Sequence, residues 1–270
     1  MAQQNQGPVL EVRDISIAFP FVAGGPSVLA VEGMNLTVAP HEFVALIGPS
    51  GCGKSTTMNA MAGLIPVDSG EVLLRGKPVT GVSGWVGYVS QADNLLPWRT
   101  VLDNVALGLE LRRVPRKVRR DIARDAIVRI GLAGFEQSYP HELSGGMKKR
   151  VSIAQVLAVD PEVLFLDEPF GPLDMFTKEK LQDDILTLWE QSEQTIVYVT
   201  HDLTEAIALA DRVVLVSARP GHVRGEYAVT LPRPRRIMDV KFNPQAVALE
   251  KTIWADLSRE LARAEENRHG

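Results

Sequence analysis

The sequence predicts an α/β fold: a parallel or mixed sheet with crossover helices, and a helical segment inserted into it. Three observations carry this. The nearly all-apolar stretch "EFVALI" (residues 42–47) runs directly into a glycine-rich loop and then a helical pattern, as a strand buried on both faces does when it leads into a crossover. Three more apolar stretches, "EVLFLDEP", "TIVYVT" and "RVVLVS", recur later, separated by helical sequence, and such alternation closes into a parallel sheet. Between residues 91 and 161 the alternation stops and the pattern turns helical, which marks an inserted subdomain.

Taken in order, "VLEVRDISIAF" (9–19) partly alternates and reads as an edge strand. "MNLTV" (34–38) and "EFVALI" are the next two strands, and a helix is expected from about 54 to 64. "EVLLRG" (71–76) and "WVGYVS" (85–90) read as short strands. The helical stretch runs from about 97 to 160, with Ile122, Ala126, Ile127 and Ile130 at helix spacing. The tail, from about 218, contains the proline- and arginine-rich "LPRPRR" and ends in a helix carrying Leu249, Ile253, Leu257 and Leu261 on one stripe. That stripe is short for a coiled coil and is expected to dock on the core.

Composition narrows the function classes. A chain of 270 residues, 45% hydrophobic, has ordinary globular composition and room for one large domain or two small ones. No early apolar run suggests a membrane span, and "MAQQNQGPVLEV" lacks the basic-then-apolar order of a secretory signal. The single cysteine, Cys52, excludes an intramolecular disulfide framework and a cysteine-cluster metal site. These readings point to the cytoplasm. A net charge of -4 gives no ground for nucleic-acid binding, and the basic run "RRVPRKVRR" (112–120) reads as a solvated helix face.

The chemistry begins at the glycine-rich loop. Gly48, Pro49, Ser50, Gly51, Cys52, Gly53, Lys54 and Ser55 fit G-x-x-x-x-G-K-[ST] without a mismatch, and Thr56 continues into the helix. Glycines let backbone N–H groups turn towards phosphate oxygens, and the helix N-terminus adds a favourable dipole. Lys54 would reach the β- and γ-phosphates, and Ser55 would ligate Mg²⁺. "VLFLDEP" (163–169) is a buried strand ending in two carboxylates. There Asp167 would hold Mg²⁺ through water and Glu168 would polarise the attacking water. In "ELSGGMKKR" (142–150), Ser144, Gly145 and Gly146 open a helix and form a second backbone nest for phosphate.

Leu143, Ser144, Gly145 and Gly146, standing ahead of the "DEP" strand, closely resemble the signature motif of ATP-binding cassette (ABC) ATPases. Three further matches follow in order. Gln91 stands where the family places its Q-loop glutamine, a sensor of Mg²⁺ and the attacking water. "GPLD" resembles the D-loop, ending in Asp174. His201, in "VYVTHD", resembles the switch histidine that contacts the γ-phosphate. The resemblance covers roughly residues 9–216. It implies a P-loop NTPase core with a mixed, mostly parallel sheet, an N-terminal antiparallel β-subdomain and an α-helical subdomain inserted at about 92–160. The cassette domain would occupy residues 1–217, with an extension over 218–270. Phe19, or second Phe21, is expected to stack on the adenine.

In that family two cassettes pair head to tail, and each ATP is held by the phosphate loop of one copy and the signature motif of the other, with Asp174 at the seam. One set of motifs therefore implies a homodimer or pairing with a related ATPase. No long coiled coil, as in the DNA-repair branch, and no second cassette, as in the translation branch, is visible. What remains is the ATPase subunit of a transporter. Its implied place is the cytoplasmic face of the inner cell membrane, against transmembrane permease subunits. The apolar loop Leu95, Leu96, Pro97 and Trp98 is expected to help form the groove for a permease helix. "LLPWRTVLDNVALGL", "LSGGM", "DEPFGPLD" and "SARPGHV…LPRPR" narrow the resemblance to the importer ATPases for nitrate, sulfonates, taurine and bicarbonate, served by a periplasmic or lipid-anchored solute-binding protein. Met147 suits that subfamily. Lys148 and Lys149 stand where glutamine is expected, Gln155 where arginine is, and Pro172 where alanine is usual. Two other classes stay open: an ATP-gated regulatory or structural cassette with little turnover, and a phosphate-loop kinase. The first is disfavoured by intact Lys54, Asp167, Glu168 and His201, and the second does not explain the signature motif.

Overall fold

The structure is a computed structural model that describes residues 7–20, 27–171, 174–190 and 194–269. The elements run β1 (Leu10–Phe19), β2 (Val28–Val38), β3 (Phe43–Ile47), α1 (Lys54–Met61), β4 (Ser69–Leu74), β5 (Lys77–Pro78), β6 (Val86–Val89), α2 (Val101–Val105), α3 (Leu107–Leu111), α4 (Arg116–Arg129), a 3₁₀ turn (Pro140–Glu142), α5 (Gly145–Leu157), β7 (Val163–Asp167), α6 (Met175–Glu190), β8 (Thr195–Val199), α7 (Leu203–Leu209), β9 (Arg212–Val216), β10 (Val223–Ala228), α8 (Ile237–Lys241) and α9 (Pro244–His269). No helix among the described residues is long and apolar enough to cross a membrane. The chain divides into two compact units, residues 1–83 with 193–270, and residues 84–192.

In the first unit, β2, β1, β4 and β5 form an antiparallel sheet in that order. The expectation of an edge position for β1 is corrected: β1 pairs β2 on one side and β4 on the other. Its alternating burial reports one buried face, which a central strand of a one-sided sheet also has. The strand expected at 34–38 begins earlier, at Val28, because residues 28–31 pair with the end of β1. Alongside, β3 lies between β8 and β9 and is parallel to both. Every residue of β3 and β8 is buried, as their unbroken apolar sequences require. An antiparallel strand, β10, adds to β9, although its half-exposed, glycine-containing sequence carries little strand signal.

The terminal helix α9 does dock, packing against α7 and α8. Among the described residues its buried positions are Ala246, Ile253, Leu257 and Glu260, whereas Leu261 is exposed. Glu260 takes the inward place because it has partners there: its carboxylate accepts from the Ala218 N–H (2.9 Å) and pairs with Arg224 and Arg263.

In the second unit, β6 and β7 are parallel, with Val89 opposite Leu166. α2, α4 and α5 enclose a core that includes Leu102, Val105, Ala123, Ile127, Val151 and Ala154. The basic run lies mostly on an exposed face, as expected, with Arg112, Arg113, Arg116 and Lys117 exposed and Arg119 and Arg120 half-buried. Arg119 and Arg120 pair with Glu110 and Asp103, and Arg112 donates to the carbonyls of Val159 and Gly84.

Candidate nucleotide site

The first unit positions the phosphate loop. β3 ends at Ile47 and the chain turns through residues 48–53 into α1. Gly53, with φ 94°, is the N-cap of α1, a conformation that glycine adopts without a Cβ penalty. It also has no room for a side chain: a Cβ would stand 2.8 Å from the Ala30 carbonyl oxygen and 2.8 Å from a Val31 methyl. β2 thus braces the loop from behind. Lys54 is buried, and its ammonium donates to the Gly48 and Pro49 carbonyls at 2.9 Å each, so the loop's own backbone holds the charge in place. Ser50, Gly51 and Ser55 are exposed, and Thr56 is half-buried. Cys52 is 1% exposed, and burial pushes its thiol up despite the lowering effect of Lys54.

His201 follows β8 at the same end. Leu46 pairs with Val199, and the Thr200 N–H donates to the Leu46 carbonyl. Gly48 and His201 therefore leave adjacent parallel strands at their carboxyl ends, where ligands bind in open α/β sheets. His201 is exposed, and the next residues are pinned: Asp202 caps α7, while the hydroxyls of Tyr198 and Thr200 donate to the buried Glu205 carboxylate. Phe19 closes β1 opposite Val28, near the β2 residues that brace Gly53, and at 44% exposure it is a surface residue, not part of the core. Phe21 lies outside the described residues, as does Pro172.

A support that no motif announced is Gly221. A Cβ there would come closer than 3.0 Å to the Cys52 carbonyl oxygen. Gly221 also donates to the Ala30 carbonyl and accepts from the Glu32 N–H. The turn after β9 is thereby wedged under the phosphate loop. It lies in the stretch "SARPGHV", where a glycine after a proline reads as an ordinary turn and not as part of a phosphate site.

The second unit gathers the acidic pair. Asp167 ends β7, and the Tyr88 hydroxyl on β6 donates to its Oδ2 at 3.1 Å. Burial, then the Asp167 charge, pushes the Tyr88 phenol well above its ordinary range, so it stays a proton donor. Glu168 follows with φ 42°, a strained left-handed conformation for a side-chain-bearing residue. Gln91 leaves β6 beside this turn: its Nε2 lies 3.3 Å from where a Cβ on Gly171 would be, and the Gly171 N–H donates to the Glu168 carbonyl.

Within the same unit, Ser144 caps α5, its Oγ accepting from the Met147 N–H at 3.3 Å, and both Ser144 and Gly145 are exposed. Gly146 is buried; a Cβ there would stand 2.5 Å from the Thr177 methyl of α6. Asp174 caps α6 by accepting from the Thr177 N–H at 3.0 Å. The signature and D-loop residues are thus neighbours in one chain, joined through Thr177.

The apolar loop ahead of α2 divides. Leu95 packs against the helical core, while Trp98 is 71% exposed. The fully buried Asn104 holds this split in place. Its Oδ1 accepts from the Leu96 N–H, and its Nδ2 donates to the carbonyls of Leu96, Arg99 and Thr100. Asn104→Ala leaves these loop groups unpaired and is expected to cost about 2–3 kcal/mol. Thermal melting checks the cost, and Trp98 fluorescence should show a more mobile indole.

Ser55 in the first unit, and Asp167 and Gln91 in the second, each carry an oxygen donor of the hard kind that suits Mg²⁺. Among the described residues no group of three or more His, Cys, Asp or Glu could hold a metal ion by itself.

A strand–loop–helix phosphate cradle and a strand ending in paired carboxylates define a phosphate-loop nucleotide-binding protein of the α/β class. Comparison with known proteins gives the family. The ABC transporter family profile matches residues 31–171. An uncharacterized ABC transporter ATP-binding protein of Methanocaldococcus jannaschii is 45% identical over 86% of each chain. The taurine import ATP-binding protein TauB of Shigella boydii is 40% identical, over 83% of this chain and 89% of its own. A solved dimeric ATP-binding cassette in a post-hydrolysis state, bound to ADP and Pi, superposes with a TM-score of 0.73 at 29% identity, covering 83% of this chain and all of that one. The chain belongs to the ABC transporter family, as an ATP-hydrolysing subunit.

Proposed function

We propose that this chain is the ATP-hydrolysing motor of an importer for a small anion of the nitrate, sulfonate or taurine type. The observation that carries the permease contact is the exposed Trp98, held outward by Asn104 on the loop after Gln91, while the import direction rests on subfamily resemblance. Similarity to the taurine import protein supports the anion class. In this reading residues 1–217 are the cassette, with the helical insertion at about 92–160, and residues 218–270 an extension. The chain sits on the cytoplasmic face of the inner membrane as a homodimer, or paired with a related ATPase, and is coupled to permease subunits and indirectly to a solute-binding protein.

The residues divide the work as follows. The backbone N–H groups of residues 48–53 and the Lys54 ammonium neutralise the triphosphate of ATP. Phe19 offers its exposed ring to the adenine. Ser55, Asp167 and Gln91 would hold Mg²⁺, which supplies charge neutralisation at the phosphates. Glu168 accepts the proton of the attacking water, and His201 donates towards the γ-phosphate. Ser144, Gly145 and Gly146 present the α5 N-terminus to the nucleotide of the other copy, and Asp174 lies at the seam.

Trp98→Glu tests the transport half of this reading. With the permease and binding protein reconstituted in vesicles, ATP-dependent uptake of taurine, nitrate or an alkanesulfonate should fall about tenfold or more, as for loss of a buried aromatic anchor. ATP turnover of the isolated chain should stay at the wild-type rate. Unchanged uptake would refute the Trp98 contact, and no uptake of any of these solutes by the wild type would refute the substrate class.

A further inference from the structure

We propose that Lys149 is a positioning residue that ties the Gln91 backbone to the signature helix, so that the two move as one body. Lys149 lies on α5, five residues after Ser144, and is fully buried. Its ammonium donates to the Gln91 carbonyl at 2.8 Å and the Ser90 carbonyl at 3.3 Å, and pairs with Asp93 Oδ1 at 3.0 Å. A lysine has three donors and no acceptor, and here it meets three acceptors, so the count closes. The glutamine expected at this place has two donors and no charge; it would leave one acceptor unmet and Asp93 without its cation. The chain therefore carries a matched pair, Lys149 with Asp93. The segment that Lys149 grips is already folded on itself, the Ser90 hydroxyl donating to the Ala92 carbonyl and the Asn94 amide to the Ser90 hydroxyl.

The consequence rests on the function proposed above. Gln91 serves the nucleotide of its own copy, and the α5 N-terminus serves the nucleotide of the other. A rigid link between them makes occupancy of one site set the position of the donors at the second, which is a coupling between sites. Lys149 touches no nucleotide, and its influence runs through the Gln91 backbone and the helix axis.

Lys149→Gln, Asp93→Asn and the double variant test this in the full-length chain. The readouts are affinity for a fluorescent ATP analogue, turnover against ATP concentration, and melting temperature. Each single variant should lower kcat by about ten- to a hundredfold, as a displaced catalytic group does. The Hill coefficient should fall towards one, and analogue affinity should stay within about twofold, because the phosphate loop is untouched. The losses should not multiply in the double variant, since both remove one shared interaction. Wild-type kcat and Hill coefficient in the single variants, whatever their melting temperature, would overturn the proposal, as would multiplying losses or an affinity loss that matches the kcat loss. If Lys149→Gln does not fold, Asp93→Asn carries the test, because the Asp93 side chain is 30% exposed. A wild-type chain that binds the analogue without turnover, even with its permease, would instead overturn the motor reading.

Discussion

Glu168→Gln should lower steady-state ATP turnover by about a hundred- to ten-thousandfold, the range that a general base contributes. ATP binding should survive, and the variant should accumulate as an ATP-loaded dimer. The buried apolar residues of β7 fix the strand, and Asp167 and Glu168 emerge where it ends. Tyr88 engages Asp167, while Glu168 stands in a left-handed conformation stabilised by the turn to Gly171. The positive φ aims the Glu168 carboxylate out of the strand direction, which fits the base role proposed for it. Glutamine preserves the size and removes the proton acceptor. Phosphate release by the purified chain gives the rate, and size-exclusion chromatography with ATP gives the trapped species. Equal turnover in variant and wild type would take Glu168 out of the base role.

Gly221→Ala should weaken ATP binding about tenfold or more, although Gly221 belongs to no nucleotide motif. The added methyl has nowhere to go, since backbone atoms of Cys52 lie on one side and a Val216 methyl 3.2 Å away on another. Backbone cannot step aside as a flexible side chain can. Overpacking of this kind costs about 1–3 kcal/mol, and each 1.4 kcal/mol expressed in the loop is about a tenfold change in affinity. Gly81→Ala is the matched control, because a Cβ at Gly81 meets nothing within 4 Å. Calorimetric titration with ATP should separate the two. Wild-type affinity in Gly221→Ala would mean that the loop does not depend on the turn beneath it.

Much of the site was legible because its chemistry demands particular residues in a fixed local order. The loop at residues 48–55, the carboxylates after β7 and the cap at Ser144 each act over a few consecutive residues. The supports were not legible, because each acts across the chain. Gly221 is 169 residues from Cys52 in sequence, counted from their numbers, and Lys149 reaches back to Ser90 and Gln91. Asn104 reads as a polar residue in an amphipathic helix, yet its side chain is fully buried. On α9 the stripe pointed to Leu261, but Glu260 is the residue that turns inward, because Arg224, Arg263 and the Ala218 N–H await it.

Strand periodicity, the glycine and lysine spacing, and the acidic pair were enough to determine an α/β nucleotide-binding chain and to single out the residues proposed to meet phosphate. Those features are local, written in backbone conformation and in the chemistry of adjacent side chains. Which residues brace them was decided by packing. β2 and the Gly221 turn fill the space behind the phosphate loop, and the Lys149 ammonium finds three oxygens brought together only when β6 and α5 lie side by side. A buried charge or a missing side chain becomes meaningful only when its neighbours are known, and those neighbours are distant in the chain.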